Sequence, residues 1–167
     1  ADGNLIRSTK RPVKGIDYGF VGDVQEINTQ LIHQLLQVGL LPVINAITHD
    51  QKGQLLNTNA DSIASALATG LALEHHVDLY FCFNKPGVLV DEKNEQSIIP
   101  LINEDIYKEL RKENVIHSGM IPKLDNSFEA LKQGVQRVWI GKAENLLMAV
   151  KGKKAGTIIE RQRYDLY

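Results

Sequence analysis

Hydrophobic and polar residues along this chain form patterns that predict strands and helices in turn. Residues 5–11 and 18–27 alternate with the period of two strands, and a turn region between them predicts a long, exposed β-hairpin. Residues 28–38 carry apolar positions at helical spacing, and Gly39 follows as a stop signal. The continuous apolar run 40–46 then predicts a buried parallel strand.

The alternation of strand and helix patterns continues along the rest of the chain. The further predicted elements are a short hairpin at 47–56, a helix at 61–73, an interior strand at 77–83, helices at 104–113 and 119–133, and strands at 136–140 and 156–160. Such alternation is typical of an α/β fold with a largely parallel sheet. The sequence contains no internal repeat and no linker long enough to divide it.

Composition excludes several classes of protein. The 167 residues, 43% of them hydrophobic, are enough for one substantial core or for one lobe of a larger molecule. The formal net charge is −1, so no global basic field indicates nucleic-acid binding. No apolar run approaches the ~20 residues of a membrane span, and no signal peptide is recognisable, which makes the cytoplasm the expected location.

Thiol and metal chemistry find little support in the sequence. Cys82 is the only cysteine and lies in the apolar run 77–83, which predicts a buried strand thiol and not a nucleophile. No cluster of Cys or His has the spacing of a zinc site, and we expect no metal ligand from the protein.

The first candidate site lies where an apolar strand pattern ends and an Ala-rich helix begins. Three short polar residues, Asn57, Asn59 and Asp61, fall within five positions there. In α/β sheets ligands bind at this edge, where helix N-termini offer unpaired N–H groups and a positive dipole end. Asn59 or Asp61 can simply cap the helix, but one cap needs only one side chain. The excess of polar residues therefore favours a binding site.

The second candidate site is the run Gly119-Met120-Ile121-Pro122-Lys123, a glycine-led entry into a helix with a lysine in its first turn. Helix N–H groups attract an anion, and the lysine adds a full charge that can follow a phosphate as it moves. The alternative is a surface lysine near a helix start, where its charge is unfavourable unless an anion lies close.

Three segments together resemble the acetylglutamate kinases, a branch of the amino acid kinase family. They are the run Asn57 to Asp61, the turn Lys85-Pro86-Gly87-Val88-Leu89 and the run Gly119 to Lys123. Residues 1–6 also resemble the segment after that family's first lobe, and residues 156–159 resemble its closing strand. The resemblance covers essentially the whole chain and implies a three-layer αβα sandwich. It makes 1–167 one partial kinase domain, with 1–56 ending the acylglutamate-binding lobe and 57–167 forming the nucleotide-binding lobe.

The resemblance implies phosphoryl transfer from ATP to the side-chain carboxylate of an N-acyl-glutamate, which gives an acyl phosphate in arginine biosynthesis. Such chemistry depends on positioning and charge neutralisation. Lys123 is then the lysine that stabilises the transferring group, and Asp61 orients the catalytic lysines by ion pairing. Asn57 holds the α-carboxylate end of the acceptor and Asn59 lies near both. Asp61 is not expected to act as a base, because a carboxylate acceptor has no proton to remove.

The resemblance also implies an ATP site and a flap. Asn84 departs from the aspartate usual in that turn, and Lys85 from the usual small apolar residue. Magnesium is expected to arrive with ATP, held by the phosphates. The hairpin 5–27 corresponds to the flap over the acylglutamate, with Arg7 as a substrate ligand and a solvated basic hairpin as the alternative. The implied nucleotide ligands are Asn84, Lys85, Pro86, Gly87, Val88, Leu89, Val115, Ile116, His117 and Gly119.

Further parts of the family's active site are expected to lie before Ala1: the lobe with a phosphate-binding lysine and glycines, a second glycine loop, and the arginine that grips the substrate carboxylate. We therefore expect these 167 residues alone to be inactive and the whole protein to form a homo-oligomer through that lobe, with no nucleic-acid or membrane partner. Three alternatives stay open: another acceptor such as aspartate, carbamate or a nucleoside monophosphate; an acyl group other than acetyl; and a non-catalytic module that senses a nucleotide or arginine.

Overall fold

The strands and helices belong to two structural units, and the boundary between the units lies between Leu71 and Ala72 in the sequence. A computed structural model describes residues 3–116 and 119–161. Each unit has its own β-sheet with helices, so the chain has the predicted α/β fold. In the described ranges we find no helix with the length and apolar character needed to cross a membrane.

The first unit is built from four strands and two helices. Its strands follow the order β1-β2-β4-β3, and β3 pairs back with β1, so that they close into a small barrel. The pairs β1–β2 and β3–β4 are antiparallel because short loops join them, whereas β2–β4 and β1–β3 are parallel. These elements are β1 (Ile6–Lys10), β2 (Val21–Ile27), α1 (Thr29–Gln37), β3 (Ile47–His49), β4 (Leu55–Thr58) and α2 (Ala60–Leu71).

The predicted hairpin is present, but its strands are not an exposed arm. Ile6 and Ser8 of β1 are buried, and only residues 12–20 of the connecting loop are exposed throughout. Gly22 of β2 lies so close to β4 that a Cβ there would be 2.7 Å from the Thr58 hydroxyl oxygen. Ile6, Ser8 and Gly22 are buried because β3 and β4 complete the barrel, which the pattern of two strands alone does not reveal.

The prediction of a buried parallel strand at 40–46 is wrong for this structure. Leu41 is 84% exposed and Val43 is 93% exposed, and the strand β3 begins only at Ile47. A buried strand needs neighbours for its backbone on both sides. Pro42 also lacks the N–H that a central strand donates. Among the described residues, the barrel leaves this run outside its strand pairs.

The second unit has a four-stranded sheet in the order β5-β7-β8-β6. The pairs β5–β7 and β6–β8 are parallel, but β7–β8 is antiparallel. Both described sheets are therefore mixed, and in this one two of the three strand pairs are parallel. The strands and helices of the second unit are β5 (Asp78–Phe83), β6 (Leu101–Ile102), α3 (Glu104–Lys112), α4 (Ile121–Lys132), β7 (Arg137–Lys142), α5 (Leu146–Val150) and β8 (Thr157–Ile159).

Residues 143–156 connect β7 to β8 and contain the five-residue helix α5. A strand of six residues spans about 20 Å, whereas such a helix spans only about 7.5 Å. Within this described segment no helix spans the length of β7, and β8 pairs with β7 in the antiparallel direction. The short helix α5 and the two-residue strand β6 were not predicted from the sequence.

The core of the second unit lies on both sides of β7. Val138 and Ile140 are completely buried, and Trp139 between them is 2% exposed. Cys82, predicted to be buried, is exposed. The reason is that β5 is the edge strand of this sheet, and its alternation turns Phe81 inward and Cys82 outward.

A polar contact joins α3 to α4, the helix that carries the candidate lysine. The Tyr107 hydroxyl donates a hydrogen bond of 2.6 Å to Asp125 Oδ1, and the Tyr107 ring stacks on Phe128. Burial, with a further contribution from the Asp125 carboxylate, raises the pKa of Tyr107 from 10.0 to about 12. Deprotonated Tyr107 is therefore poorly tolerated in the folded state.

We predict that Tyr107→Phe lowers the free energy of unfolding by about 1 kcal/mol at pH 9, where the hydroxyl hydrogen bond is lost. The difference in the free energy of unfolding between the two proteins should become smaller as the pH rises above 10. Between pH 10 and about 12, Tyr107 keeps its proton in the folded wild type but loses it on unfolding. The free energy of unfolding of the wild type therefore falls as the pH rises through this range, by at most about 1.4 kcal/mol per pH unit, and Tyr107→Phe lacks this contribution. Urea unfolding of both proteins at pH 9 and 11 measures the difference. A difference in the free energy of unfolding that is the same at pH 9 and pH 11 would contradict the raised pKa of Tyr107.

Candidate active site

The turn after β5 is fixed by a hydroxyl group of β8. The Thr157 Oγ1 atom accepts a hydrogen bond of 2.8 Å from the backbone N–H of Val88 and donates one of 2.7 Å to the Ile99 carbonyl. Thr157 is fully buried and Val88 is 2% exposed. A Cβ on Gly87 would lie 2.7 Å from the same Thr157 oxygen. The turn thus needs a glycine at 87 and a small hydroxyl residue at 157.

We expect Thr157→Val to lower the free energy of unfolding by about 2 kcal/mol, because it leaves the buried Val88 N–H without its acceptor. Thr157→Ser keeps the hydroxyl and should recover most of this loss. Urea unfolding of the two variants and the wild type measures the effect. A larger loss in Thr157→Ser than in Thr157→Val would assign the role of Thr157 to its methyl group instead.

A cavity of about 530 Å³ opens beside this turn. Six of the predicted nucleotide ligands line it: Lys85, Gly87, Val88, Leu89, Ile116 and Gly119. Phe83, Glu92 and Met120 complete the described lining. The second unit therefore brings the turn 84–89 and the segment before α4 to one cavity, as the resemblance implied.

Not every predicted nucleotide ligand reaches that cavity. Among the described residues, Asn84, Pro86 and Val115 are neighbours of the lining in the chain without forming part of it. His117 lies outside the described residues. Phe83 and Met120 were not predicted as part of the lining, because an apolar residue next to a turn or a helix start is usually interpreted as part of the hydrophobic core.

Charged side chains occupy one rim of the cavity. Lys85 Nζ donates to the Glu92 carbonyl oxygen at 3.4 Å. Close by, Lys142 Nζ lies 2.9 Å from a carboxylate oxygen of Glu95. The hydrogen bond and charge of Lys142, with a smaller contribution from Lys85, hold the pKa of Glu95 below its usual value. One cation, Lys85, thus lies in the lining of a cavity whose other described walls are mostly apolar.

Among the described residues, no side chain caps the N-terminus of α4 at Met120. The first turn contains no acidic residue, and Pro122 occupies one of its first two positions. Proline suits this position because the N–H that it lacks has no partner within the helix. An N-terminus of this kind favours an anion.

Lys123 extends from that first turn over two aromatic rings at the end of β5. Its Nζ atom is 4.7 Å from the centroid of the Phe81 ring and 5.7 Å from that of Phe83. Phe83 also lines the cavity. The ammonium group and the cavity therefore share one ring as a common wall.

The predicted acceptor-side residues lie in the first unit, at the end of β4 and the start of α2. Asn57 is exposed on β4. The Asn59 side-chain oxygen accepts a hydrogen bond of 3.1 Å from the Ser62 N–H and so caps α2. Asp61 lies in the first turn of that helix, where a negative charge is favourable. Asn59 thus has a capping role, which was one of the two interpretations of its position.

Arg7, the predicted flap ligand, makes a cross-strand ion pair. Its Nε and Nη2 atoms lie 3.0 and 2.8 Å from Glu26 Oε2. Both residues line a cavity of about 260 Å³ beside the N-terminus of α1. Arg11 pairs in the same way with Asp23 at 2.6 Å, and the Asp23 carboxylate raises the pKa of Arg11. These arginines of the hairpin are therefore engaged in holding β1 to β2.

The sequence is similar to acetylglutamate kinases from several bacteria. Acetylglutamate kinase from Phocaeicola vulgatus is 47% identical over 161 residues, which are 96% of this chain and 61% of that protein. Acetylglutamate kinase from Cytophaga hutchinsonii is 49% identical over 159 residues, which are 94% of this chain and 60% of that protein. The chain thus spans about 60% of the length of these curated relatives.

A solved structure and a family model extend the comparison. N-acetylglutamate synthase from Neisseria gonorrhoeae, complexed with coenzyme A and L-arginine, matches 97% of this chain and 38% of its own, with a TM-score of 0.83 and 18% identity. At that identity the likeness concerns the fold alone. The model of the amino acid kinase family matches residues 2–142. This match covers most of the sequence, including the cavity turn and the lysine-bearing helix start, and the chain belongs to the amino acid kinase family.

Proposed function

We propose that the whole protein transfers the γ-phosphoryl group of ATP to the side-chain carboxylate of N-acetyl-L-glutamate, as a cytoplasmic enzyme of arginine biosynthesis. The names of the relatives support the acceptor. The observation that carries the proposal is the joining of the 530 Å³ cavity to the start of α4, with Lys123 at the junction. An apolar wall, an open helix N-terminus and a lysine are the parts that a nucleoside triphosphate requires.

The base of ATP is assigned to the apolar part of the cavity, against Leu89, Ile116 and Met120. The phosphates then lie toward Gly119 and the open N-terminus of α4. Magnesium is held by the phosphate oxygens and neutralises part of their charge. Lys85 at the rim is a ligand for the nucleotide in this assignment, in place of the small apolar residue that the family usually has there.

In the proposed reaction a carboxylate oxygen of the acceptor attacks the γ-phosphorus, and the bond from that phosphorus to the β–γ bridging oxygen breaks. ADP leaves with the electron pair, and no proton moves. Lys123 stabilises the charge on the transferring group. Asp61 orients the catalytic lysines, and Asn57, Asn59 and Arg7 bind or shape the acceptor site.

The proposal extends to architecture. We assign 1–56 to the end of the acceptor-binding lobe and 57–167 to the nucleotide-binding lobe of a three-layer αβα domain. The exposed side chains of Leu40, Leu41 and Val43 support this assignment, because adjacent exposed apolar residues are typical of a surface that another segment or subunit covers. The curated relatives are longer than this chain, and we assign this cover and the contacts of a homo-oligomer to the rest of the complete protein.

The test is a hydroxamate assay on the complete protein. It is incubated with Mg-ATP, hydroxylamine and either N-acetyl- or N-succinyl-L-glutamate, and the trapped hydroxamate is quantified. A strong signal with N-acetyl-L-glutamate is expected, and a signal with the succinyl compound alone would change the acyl group. No signal with either, despite measurable ATP binding by titration calorimetry, would point to another acceptor or to a sensing module.

A further inference from the structure

The end of β5 presents two aromatic rings to one ammonium group. Phe81 and Phe83 are two residues apart in the strand, so their side chains lie on the same face. Lys123 Nζ lies within the range of a cation–π interaction from both, at 4.7 and 5.7 Å. The ring of Tyr80, the residue directly before Phe81, packs on Trp139 with 5.9 Å between centroids. The aromatic side chains of β5 thus serve two different contacts.

We propose that Phe81 and Phe83 are positioning residues, which hold the Lys123 ammonium at the place where it meets the transferring phosphoryl group. The inference rests on the proposed kinase function. An aromatic face attracts a cation through its quadrupole but does not neutralise the charge. The two rings can therefore hold the lysine in place without themselves neutralising its charge.

Both ends of the Lys123 residue are fixed. The Ser127 hydroxyl donates a hydrogen bond of 2.7 Å to the Lys123 carbonyl, and Ser127 is fully buried. The two rings fix the other end. A lysine side chain has several rotatable bonds, and a rigid wall along it reduces the number of places the ammonium can occupy. Such preorganisation increases the catalytic effect of a charge.

The two rings differ in their surroundings. Phe81 is 4% exposed and forms the rigid part of the wall. Phe83 is half-buried and also lines the 530 Å³ cavity. Phe83 thus contacts both the lysine and the space assigned to ATP, so a bound nucleotide would fix the ring that holds the lysine. Phe83 is accordingly the residue to vary.

The experiment compares Phe83→Leu, Phe83→Tyr and the wild type in the complete protein. Leucine retains an apolar wall without an aromatic face, whereas tyrosine retains the face. We expect Phe83→Leu to lower kcat about 10-fold with KM for ATP changed less than about twofold, and Phe83→Tyr to restore kcat within about twofold. Tyr80→Leu removes an aromatic ring from the same strand without touching Lys123, and it should leave kcat unchanged.

A double-variant test separates positioning from wall formation. In a Lys123→Met background, Phe83→Leu should lower kcat no further, because the ring acts through the lysine. A full additional loss in that background, or an effect of Phe83→Leu on KM alone, would overturn the inference and leave Phe83 as a wall of the nucleotide site.

A spectroscopic readout is independent of catalysis. In the NMR spectrum of the complete protein, the Lys123 εCH₂ protons should be shifted upfield by the ring currents, and Phe83→Leu should reduce that shift. Random-coil shifts in the wild type would overturn the inference even if the variants failed to fold. An upfield shift without hydroxamate formation by the complete wild type would instead overturn the proposed function and keep the contact.

Discussion

Replacing Lys123 with methionine is expected to lower kcat for phosphoryl transfer by about 10²–10³ in the complete protein. Methionine has a similar length and apolar stem but carries no charge, so the substitution removes charge stabilisation from the transferring group. KM for ATP should change much less, because the cavity and the open N-terminus of α4 remain. The hydroxamate assay at varied ATP concentration measures both parameters.

Lys132→Met is the matched control for this prediction. Lys132 is an exposed residue in the last turn of α4, the same helix that begins near Lys123. It should retain wild-type kcat, and thermal unfolding should show that both variants are folded. A Lys123→Met protein with kcat within threefold of wild type would remove Lys123 from the proposed mechanism.

The second large effect is expected on stability, from Gly156→Ala. Gly156 has φ +71°, and a Cβ there would lie 2.5 Å from Trp139 Nε1 and 2.7 Å from the Ile140 carbonyl oxygen. Alanine in this left-handed conformation costs about 1 kcal/mol, and forcing a methyl group against a buried ring adds about 2 kcal/mol. Urea unfolding should therefore give a loss of about 3 kcal/mol.

Gly152→Ala supplies the control that separates the two costs. Gly152 has φ +72°, almost the same as Gly156, but a Cβ there would meet nothing within 4 Å. It should lose only the conformational part, about 1 kcal/mol. Equal losses at the two positions would show that Trp139 moves aside easily.

The Gly156→Ala substitution is also expected to affect the candidate active site. The indole N–H of Trp139 donates to the Ala155 carbonyl at 2.6 Å, so the ring fixes the approach to β8. Thr157 follows directly and binds the N–H of Val88 in the cavity turn. Displacement of Trp139 is thus expected to loosen the turn as well as the core, and ATP affinity should fall together with stability.

Most helices were predictable because their signals are local. Asn28 and Asn103 cap α1 and α3 with hydrogen bonds of 3.0 and 2.9 Å to backbone N–H groups three residues ahead. Gly39, the predicted stop of α1, has φ +79°. These contacts are made within one turn of the helix that they begin or end, so sequence spacing is enough to find them.

The candidate site was predictable where its parts are motifs. The turn 84–89 and the run 119–123 were identified as separate segments, and six of the predicted nucleotide ligands line one cavity. The contributions of Phe83, Met120 and Thr157 were not predicted. Their roles depend on contacts between residues that are distant in the chain, such as the 69-residue separation between Val88 and Thr157.

The sequence by itself determined four of the five described α-helices, the stop at Gly39, the polar residues at the strand ends and the family, because these depend on spacing and residue type along one segment. Only the tertiary structure decided strand direction, the exposure of Cys82 and of the run 40–46, and the aromatic wall beside Lys123. Each of these depends on which segments become neighbours, and pairing partners are a property of the folded chain. An apolar run becomes a buried strand only where the fold supplies strands on both sides of it.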